Sequence, residues 1–113
     1  MTAQSLNLTI EQGATFSLVV NVGATFAGLT PRGTLRRSFV GEKLADLTCS
    51  AVSVGGDTTI SLTAAQTKDL TALDALPSER EVLLGVWDLE TDNAGAVARH
   101  RQGKVILSRE AST

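Results

Sequence analysis

The sequence is poor in the residues that build metal sites, disulfides and aromatic binding platforms. Among its 113 residues are one cysteine, one histidine, one tryptophan, three phenylalanines and no tyrosine. A single cysteine excludes an intrachain disulfide, and one cysteine with one histidine falls short of the ligands that a structural zinc site needs. The glycine-rich pieces lack the Lys-Ser/Thr pair of a phosphate-binding loop, so we expect no cofactor.

Charge and hydropathy argue against two further kinds of partner. Ten Lys and Arg residues against twelve Asp and Glu residues give a net charge of −2, without the basic excess that holds a nucleic-acid backbone. The longest apolar run, 82–87, is far shorter than the roughly 20 residues of a membrane helix. The first five residues have neither the charged nor the apolar region of a signal peptide. We expect one domain over residues 1–113 that binds neither nucleic acid nor membranes.

Alternation of apolar and polar residues predicts β-strands through most of the chain. Strands are expected at 6–10, 16–22, 32–40, 44–54 and 58–62. Seven residues of the first two strands are expected to face inward, namely Leu6, Leu8, Ile10, Phe16, Leu18, Val20 and Val22, and so are Leu47, Cys49 and Ala51 of the fourth. A capping box at 63–66, followed by leucines three residues apart, predicts one short helix over 64–73. A hairpin over 82–102 and a strand over 104–108 follow. The spacing predicts an all-β protein, a small antiparallel β-sandwich of the immunoglobulin type with about seven or eight strands.

The predicted hairpin places charges on one face and apolar groups on the other. A four-residue loop over 93–96 sets Glu90 opposite Arg99 and Asp88 opposite Arg101. We interpret these carboxylates as a salt-bridged surface rather than calcium ligands, because the loop pattern of an EF-hand is absent. The other face then carries four residues: Trp87, Leu89, Thr91 and His100.

Cys49 and His100 are the residues from which an enzyme would have to be built. Cys49 falls mid-strand among small apolar residues, where a thiol packs as a hydrophobic group. His100 falls on the apolar face of the hairpin, and no Gly-x-Ser-x-Gly elbow accompanies it. We interpret both as structural residues, so the sequence predicts no catalytic residue, no metal ligand and no enzymatic activity.

Arginines on the third predicted strand are candidate contact residues. Arg37 shares a predicted inward face with Leu35 and Phe39, which indicates either an edge strand or a carboxylate partner. Arg32 and Arg36 fall on the other face. Arginine is enriched at protein interfaces, and Phe39 alone is close enough to stack on a base. A protein partner is therefore the better interpretation of this cluster than a nucleic acid.

Five segments in a fixed order carry a resemblance to a known protein family. They are LTIEQGATF at 8–16, PRGTLR at 31–36, ISLTAAQT at 60–67, WDLE at 87–90 and RQGKVILS at 101–108. In order and spacing the chain resembles small bacteriophage virion proteins with a β-sandwich fold, and is similar to the N-terminal domain of phage baseplate upper proteins. The family usually has Tyr at the position of Trp87, and a shorter link than residues 74–81.

The resemblance implies a non-enzymatic virion protein, made in the host bacterial cytoplasm. We expect a tail or baseplate adaptor that binds neighbouring virion proteins; the alternative is a capsid decoration protein that binds the major capsid protein. Repeated use of one surface in a particle favours a homo-oligomer. The expected contact residues lie on the third strand and in the loops 23–29 and 74–81: Phe26, Leu29, Arg32, Arg36, Arg37, Leu76, Pro77 and Arg80.

Two other functional classes have weaker support in the sequence. A carbohydrate-binding domain of a bacterial surface would need a secretion signal or exposed aromatic residues for sugar stacking, and the sequence predicts neither. A small enzyme on a sandwich scaffold would need a catalytic set beyond one cysteine and one histidine.

Overall fold

Eight β-strands contain more than half of the residues described in a computed structural model, which covers 4–71 and 78–109. The strands are β1 (Gln4–Ser5), β2 (Leu8–Glu11), β3 (Phe16–Asn21), β4 (Arg32–Arg36), β5 (Lys43–Cys49), β6 (Asp57–Leu62), β7 (Glu81–Asn93) and β8 (Ala96–Ser108). A 3₁₀ turn at Ala24–Phe26 and a helix, α1, at Ala64–Lys68 complete the described elements. The predicted all-β class is confirmed.

The strands form one hydrogen-bonded path, in the order β1-β8-β7-β4-β5-β6-β3, and β2 also pairs with β8. β5 belongs to both halves of this path, because Leu47 lies opposite β4 and Cys49 lies opposite β6. The sheet curls around a shared apolar core, and the molecule measures 45 × 25 × 19 Å. The most deeply buried core residues are Ile10, Leu35, Ile60, Leu62, Trp87, Leu89, Val105 and Leu107.

The first strands confirm the predicted inward residues but not their direction of pairing. All seven apolar residues predicted to face inward from the first two strands join the core or pack against it. The strand predicted at 6–10 nevertheless forms only from Leu8, as β2, and both β2 and the preceding β1 run parallel to β8, with Gln4 opposite Arg101 and Leu8 opposite Val105. The sheet is therefore mixed, and the expectation of a purely antiparallel arrangement is wrong at this edge.

Hydrogen bonds hold the chain where β1 ends and β2 has not yet begun. The N–H of Leu6 donates to the carbonyl of Gln102 at 2.9 Å. The Asn7 side-chain oxygen accepts from the N–H of Lys104, also at 2.9 Å. The indole Nε1 of Trp87 donates to the carbonyl of Leu6 at 2.7 Å. Leu6 and Asn7 are therefore bonded to β8 and to Trp87 without belonging to a strand, and the strand predicted from residue 6 begins two residues late.

The third predicted strand ends four residues early. β4 stops at Arg36, where its register with β5 shifts, and residues 38–41 form a turn closed by a 3.0 Å hydrogen bond. Phe39 is 59% exposed and Val40 is 98% exposed, so the predicted inward position of Phe39 is wrong. The physical reason is that the chain leaves the β4–β7 ladder after Arg36, so Phe39 lies in the turn, where the alternation of a strand no longer applies.

The fourth predicted strand is also shorter than its apolar pattern. β5 ends at Cys49, and Leu47 is buried as predicted. Ala51, expected to face inward, is exposed, and Val52 is buried in its place. The N–H of Val52 donates to the carbonyl of Leu29 at 2.8 Å, while the N–H groups of Ser50 and Ser53 still donate to Thr59 and Asp57 of β6. Beyond Cys49 the chain is therefore bonded both to β6 and to the loop before β4.

The register at the tip of the β7–β8 hairpin is as predicted, but Asn93 and Ala96 belong to the strands, so the loop has two residues rather than four. Ala94 (φ 53°) and Gly95 (φ 93°) both have positive φ, as a two-residue type I′ turn requires. The carboxylate of Asp92 accepts from the N–H of Gly95 at 2.9 Å and holds the turn. β8 then runs without interruption to Ser108, so Gly103 does not separate two strands.

One bulge changes the register of the same hairpin. Glu90 lies opposite Arg99, as predicted. His100 is then an extra residue in β8, and Asp88 lies opposite Gln102 rather than the predicted arginine. The imidazole is buried, so the strand bends to admit it to the core. The buried face of β7 is as predicted, with Trp87, Leu89 and Thr91.

The helix begins where predicted and ends early. The hydroxyl of Thr63 accepts from the N–H of Gln66 at 3.2 Å, and the Gln66 side chain accepts from the N–H of Thr63 at 2.8 Å. This capping box opens α1, which spans only Ala64–Lys68. The helix stops because Leu70 turns into the core. The expected span to 73 is therefore wrong over 69–71, and its last residues, 72–73, lie outside the described part.

Thr67 joins α1 to the turn between β2 and β3, and its removal should be costly. Its buried hydroxyl donates to the carbonyl of Ala14 at 2.8 Å and accepts from the N–H of Gly13 at 3.0 Å. Thr67→Val keeps the volume but leaves these groups without that partner, so urea unfolding should show a loss of about 1–3 kcal/mol. The exposed control Thr9→Val should change stability by less than about 0.5 kcal/mol. Equal effects of the two substitutions would contradict this role.

Candidate interaction face

The outer side of β5, β4, β7 and β8 carries charged residues in neighbouring rows. On β4, Gly33 and Leu35 are buried, so the alternate residues point away from the core. Arg32 of β4 lies opposite Glu90 of β7, and Arg36 of β4 lies opposite Lys43 of β5. We define the charged face by six residues: Arg32, Arg36, Lys43, Asp88, Glu90 and Arg99.

A short ion pair orders one end of the charged face. The Nη2 atom of Arg32 lies 2.7 Å from Oε1 of Glu90 and 4.0 Å from Oδ2 of Asp92. The Glu90 carboxylate thus pairs with β4, although Arg99 lies opposite it on β8 as predicted. The Arg32 side chain is 59% exposed. Such a pair contributes about 0–1 kcal/mol, so it orients the side chains more than it stabilises the fold.

Asp88 lies in the middle of the charged face and is partly withdrawn from water. Burial raises the pKa of its carboxyl group, and the neighbouring Glu90 adds to the increase. The guanidinium groups of Arg99, Arg36 and Arg32 act in the opposite direction. Within the described residues no side chain forms an ion pair with Asp88. The face therefore has a carboxylate at its centre that can accept hydrogen bonds from a partner.

The predicted arginines do not all lie on this face. The Nη1 atom of Arg36 makes a long contact of 3.5 Å with the carbonyl of Gly41, so its guanidinium is largely available. Arg37 instead contacts Glu42 at 3.3 Å and donates to the carbonyl of Thr71. Its side chain is only 18% exposed. Arg32 and Arg36 are thus brought together, whereas Arg37 fastens the β4–β5 turn to the chain after α1.

Phe26 lies in a separate open groove of about 530 Å³. Its ring meets the edge of the His100 ring, with centroids 4.4 Å apart and planes at 75°. The Arg101 guanidinium donates to the carbonyls of Asn21 at 2.7 Å and of His100 at 2.8 Å, which fixes one wall. Leu29 is half-buried, in the loop that follows.

The remaining predicted contact residues lie elsewhere or are not described. Arg80 is exposed just before β7, and its backbone carbonyl accepts from the N–H of Arg109 at 2.7 Å. Leu76 and Pro77 lie outside the described residues, as does much of the loop 74–81. The structure adds four residues that were not predicted as contact residues: Lys43, Asp88, Glu90 and Arg99. Only the register of the neighbouring strands places them on the face of Arg32 and Arg36.

Cys49 and His100 have the surroundings of structural residues. Burial raises the pKa of the Cys49 thiol, and a weaker backbone hydrogen bond from Gly33 lowers it, so the thiolate is disfavoured. The Nε2 atom of His100 lies 2.9 Å from the Thr91 hydroxyl in the core. Burial, and then the charge of Arg101, lower the pKa of His100.

His100 should make stability depend on pH. Its folded-state pKa lies below its unfolded value of about 6.5, so the unfolded chain binds the proton more readily. Stability is full above the unfolded pKa and falls as the pH drops towards the folded pKa. Urea midpoints should therefore be lower at about pH 5.5 than at about pH 7.5. His100→Gln should reduce this difference, and an unchanged difference would contradict the assignment.

The described residues contain neither a metal-binding cluster nor a membrane-spanning helix. No group of three or more His, Cys, Asp and Glu side chains in residues 4–71 and 78–109 is arranged to hold a metal ion. No helix in the same part of the chain combines the length and the apolar character needed to cross a membrane.

Comparison with known proteins adds information on the fold. No protein-family model matches the chain, and no curated protein matches it. Among solved structures the chain is similar to the NK cell receptor Nkp44, described as a triggering partner in natural cytotoxicity. The TM-score is 0.51 at 14% sequence identity, over 97% of this chain and 100% of the receptor chain. At this identity the likeness concerns the fold alone, and it supports an immunoglobulin-like β-fold.

Proposed function

We propose that this chain is a non-enzymatic structural subunit of a bacteriophage virion that binds neighbouring virion proteins through the charged face. Its place in the particle is that of an adaptor in the tail or baseplate. The five family-like segments described above support the viral assignment. The geometry of the charged face supports a binding role, and a capsid decoration role is the alternative.

The position of Asp88 is the observation that carries the binding role. A partly buried carboxylate without an ion pair costs free energy, because the charges of Arg99, Arg36 and Arg32 offset its desolvation only in part. A donor supplied by a neighbouring protein would repay it. Arg36 lies near Asp88 on the same face, and its guanidinium has further N–H groups that can donate to a carboxylate of the same partner. A face with an available acceptor and an available donor is suited to a specific polar interface.

The state of the two reactive residues supports a non-enzymatic role. Nucleophilic use of Cys49 would need a lowered thiol pKa, and burial raises it instead. The imidazole of His100 is engaged with Thr91 and packs against Phe26. Both side chains are thus used in packing and in structural hydrogen bonds.

We infer further that the curled sheet is a sandwich of the immunoglobulin type. One layer would hold β2, β8, β7 and β4, the other β6 and β3, and β5 would pass between them. The likeness to Nkp44 and the double pairing of β5 support this reading. In this arrangement the charged face is the outer surface of the larger layer.

Charge reversal on the charged face tests the proposed function. We expect Arg32→Glu with Arg36→Glu to reduce incorporation into particles about tenfold or more, since both donors become repelling acceptors. The matched control is Lys68→Glu on α1, an exposed position on another element. Particles purified from cells that supply only one variant are assayed by mass spectrometry, and thermal unfolding checks the fold. Equal incorporation of all variants would contradict the proposal. Separated heads and tails distinguish the adaptor from the decoration role.

A further inference from the structure

We propose that the free edge of β3 is a self-association surface, on which a second copy of this chain adds its own β3 as an antiparallel strand. β3 is the last strand of the path and pairs only with β6 among the described residues. The inference deepens the proposed function, on which it rests for its biological setting, by naming a partner and a surface different from the charged face.

The direction of the backbone groups of β3 follows from two hydrogen bonds. The N–H of Val22 donates to the carbonyl of Gly56 in continuation of the β3–β6 ladder, so even-numbered residues of β3 point towards β6. The carbonyl of Asn21 accepts from Arg101 of β8, so odd-numbered residues point away from β6. The N–H and C=O groups of Ser17 and Val19 are therefore directed outwards.

β3 lacks the features by which proteins protect an exposed edge. It has six residues, no charged residue, no proline and no bulge in its pairing with β6. Natural edge strands are usually shortened, charged, bulged or covered, because open backbone groups invite another strand. Val19 adds an apolar side chain that is 60% exposed beside this edge. The other end of the path is formed by two shorter strands, β1 with two residues and β2 with four, and β2 ends in the charged Glu11.

The uncharged edge of β3 suits a second copy of this chain better than a positively or negatively charged strand of another protein. Pairing about a two-fold axis places each residue opposite one from the same strand, so a charged edge would set like charges against each other. β3 is uncharged throughout and avoids this repulsion. It also offers no charge with which to select an oppositely charged foreign strand.

The occupied carbonyl of Asn21 selects the register of the pair. Because Arg101 already covers that end, the available outward groups are centred on Ser17. A two-fold axis there sets Ser17 opposite the second copy's Ser17, with two hydrogen bonds between them. Val19 then lies opposite the second copy's Thr15, a favourable pair of β-branched side chains.

Sedimentation of the purified chain over a range of concentrations tests the pairing. We expect the wild-type protein to pass from monomer to dimer as its concentration rises. Ser17→Pro removes an outward N–H from the centre of the pair while leaving the β6 ladder intact, so it should weaken dimerisation at least about tenfold. The control Ser17→Ala keeps the N–H and should dimerise as the wild type does. A wild-type protein that stays monomeric, or a Ser17→Pro variant that dimerises normally, would overturn the proposal.

Cross-linking keeps the test decisive where Ser17→Pro fails to fold. In a Cys49→Ala background, Ser17→Cys should form an intermolecular disulfide on oxidation, since paired residues have Cα atoms about 5.5 Å apart. Val97→Cys in the same background is the control, because Val97 is comparably exposed at the hairpin tip. Equal cross-linking at both positions, or none at Ser17→Cys, would refute the edge pairing. These assays use the isolated protein, so their failure is distinguishable from failed incorporation of the charge-reversed variants.

Discussion

Replacing Trp87 by alanine should lower the free energy of unfolding by about 3–5 kcal/mol, the range for large aromatic side chains lost from a core. Trp87 is 1% exposed, and its indole Nε1 donates to the carbonyl of Leu6 at 2.7 Å. The substitution therefore creates a cavity and also removes the bond that holds the chain between β1 and β2. Urea unfolding followed by far-ultraviolet circular dichroism is the measurement, since the variant has no tryptophan fluorescence.

The phenylalanine variant separates the two contributions of Trp87. Trp87→Phe retains most of the packing but leaves the Leu6 carbonyl without the indole donor. We expect it to cost about 1–3 kcal/mol, clearly less than the alanine variant. A Trp87→Ala variant that loses no more than Trp87→Phe would show that Trp87 does not support the core as described.

Gly103→Ala should have the second largest effect. A Cβ atom at this position would lie 2.2 Å from the carbonyl oxygen of Leu6 and 2.8 Å from its carbonyl carbon. These are backbone atoms of the segment between β1 and β2, so the steric clash can be removed only if this segment shifts away from β8 and from the Trp87 indole. We expect a loss of about 3 kcal/mol in urea unfolding.

A matched glycine variant and a double mutant give this prediction its control. A Cβ at Gly55 would find its nearest neighbour at 4.0 Å, so Gly55→Ala should change stability by less than about 0.5 kcal/mol. Because Gly103→Ala and Trp87→Phe both disturb the Leu6 carbonyl, their combined loss should be smaller than the sum of the single losses. Additive losses, or a Gly103→Ala variant as stable as the wild type, would contradict the close contact between Gly103 and the Leu6 carbonyl.

The alternation of apolar and polar residues was sufficient to predict most strands and their inward residues. It succeeds at β2, β3 and β6, where the pairing with a neighbour is regular over the whole strand. It fails where one residue is inserted or one polar group finds a side-chain partner. The bulge at His100 and the side-chain bond of Asn7 depend on tertiary neighbours, so no local pattern reveals them.

The candidate interaction face was predictable only in part for the same reason. Arg32 and Arg36 share a face because Gly33 and Leu35 alternate with them, and this is visible in the sequence. Alternation with Glu90 already predicted that Asp88 lies on a charged face, but the bulge replaces its predicted partner Arg101 by Gln102, and only the pairing of β7 with β4 adds it to the face of Arg32 and Arg36. Arg37 was displaced from its expected face by the early end of β4.

We propose two different binding surfaces on this protein. The charged face, on the outer side of β4 and β7, is proposed to bind other virion proteins. The edge of β3 is proposed to bind a second copy. The two surfaces lie on different strands of the path, so one subunit can use both at once.

Electron cryomicroscopy of intact phage particles from cells that produce this protein tests the proposed function. We expect density for the 45 × 25 × 19 Å subunit at the tail or baseplate, with the charged face against a neighbouring virion protein. Subunits located in the particle but with Arg36 and Asp88 facing solvent, or particles that lack the protein altogether, would contradict the proposal.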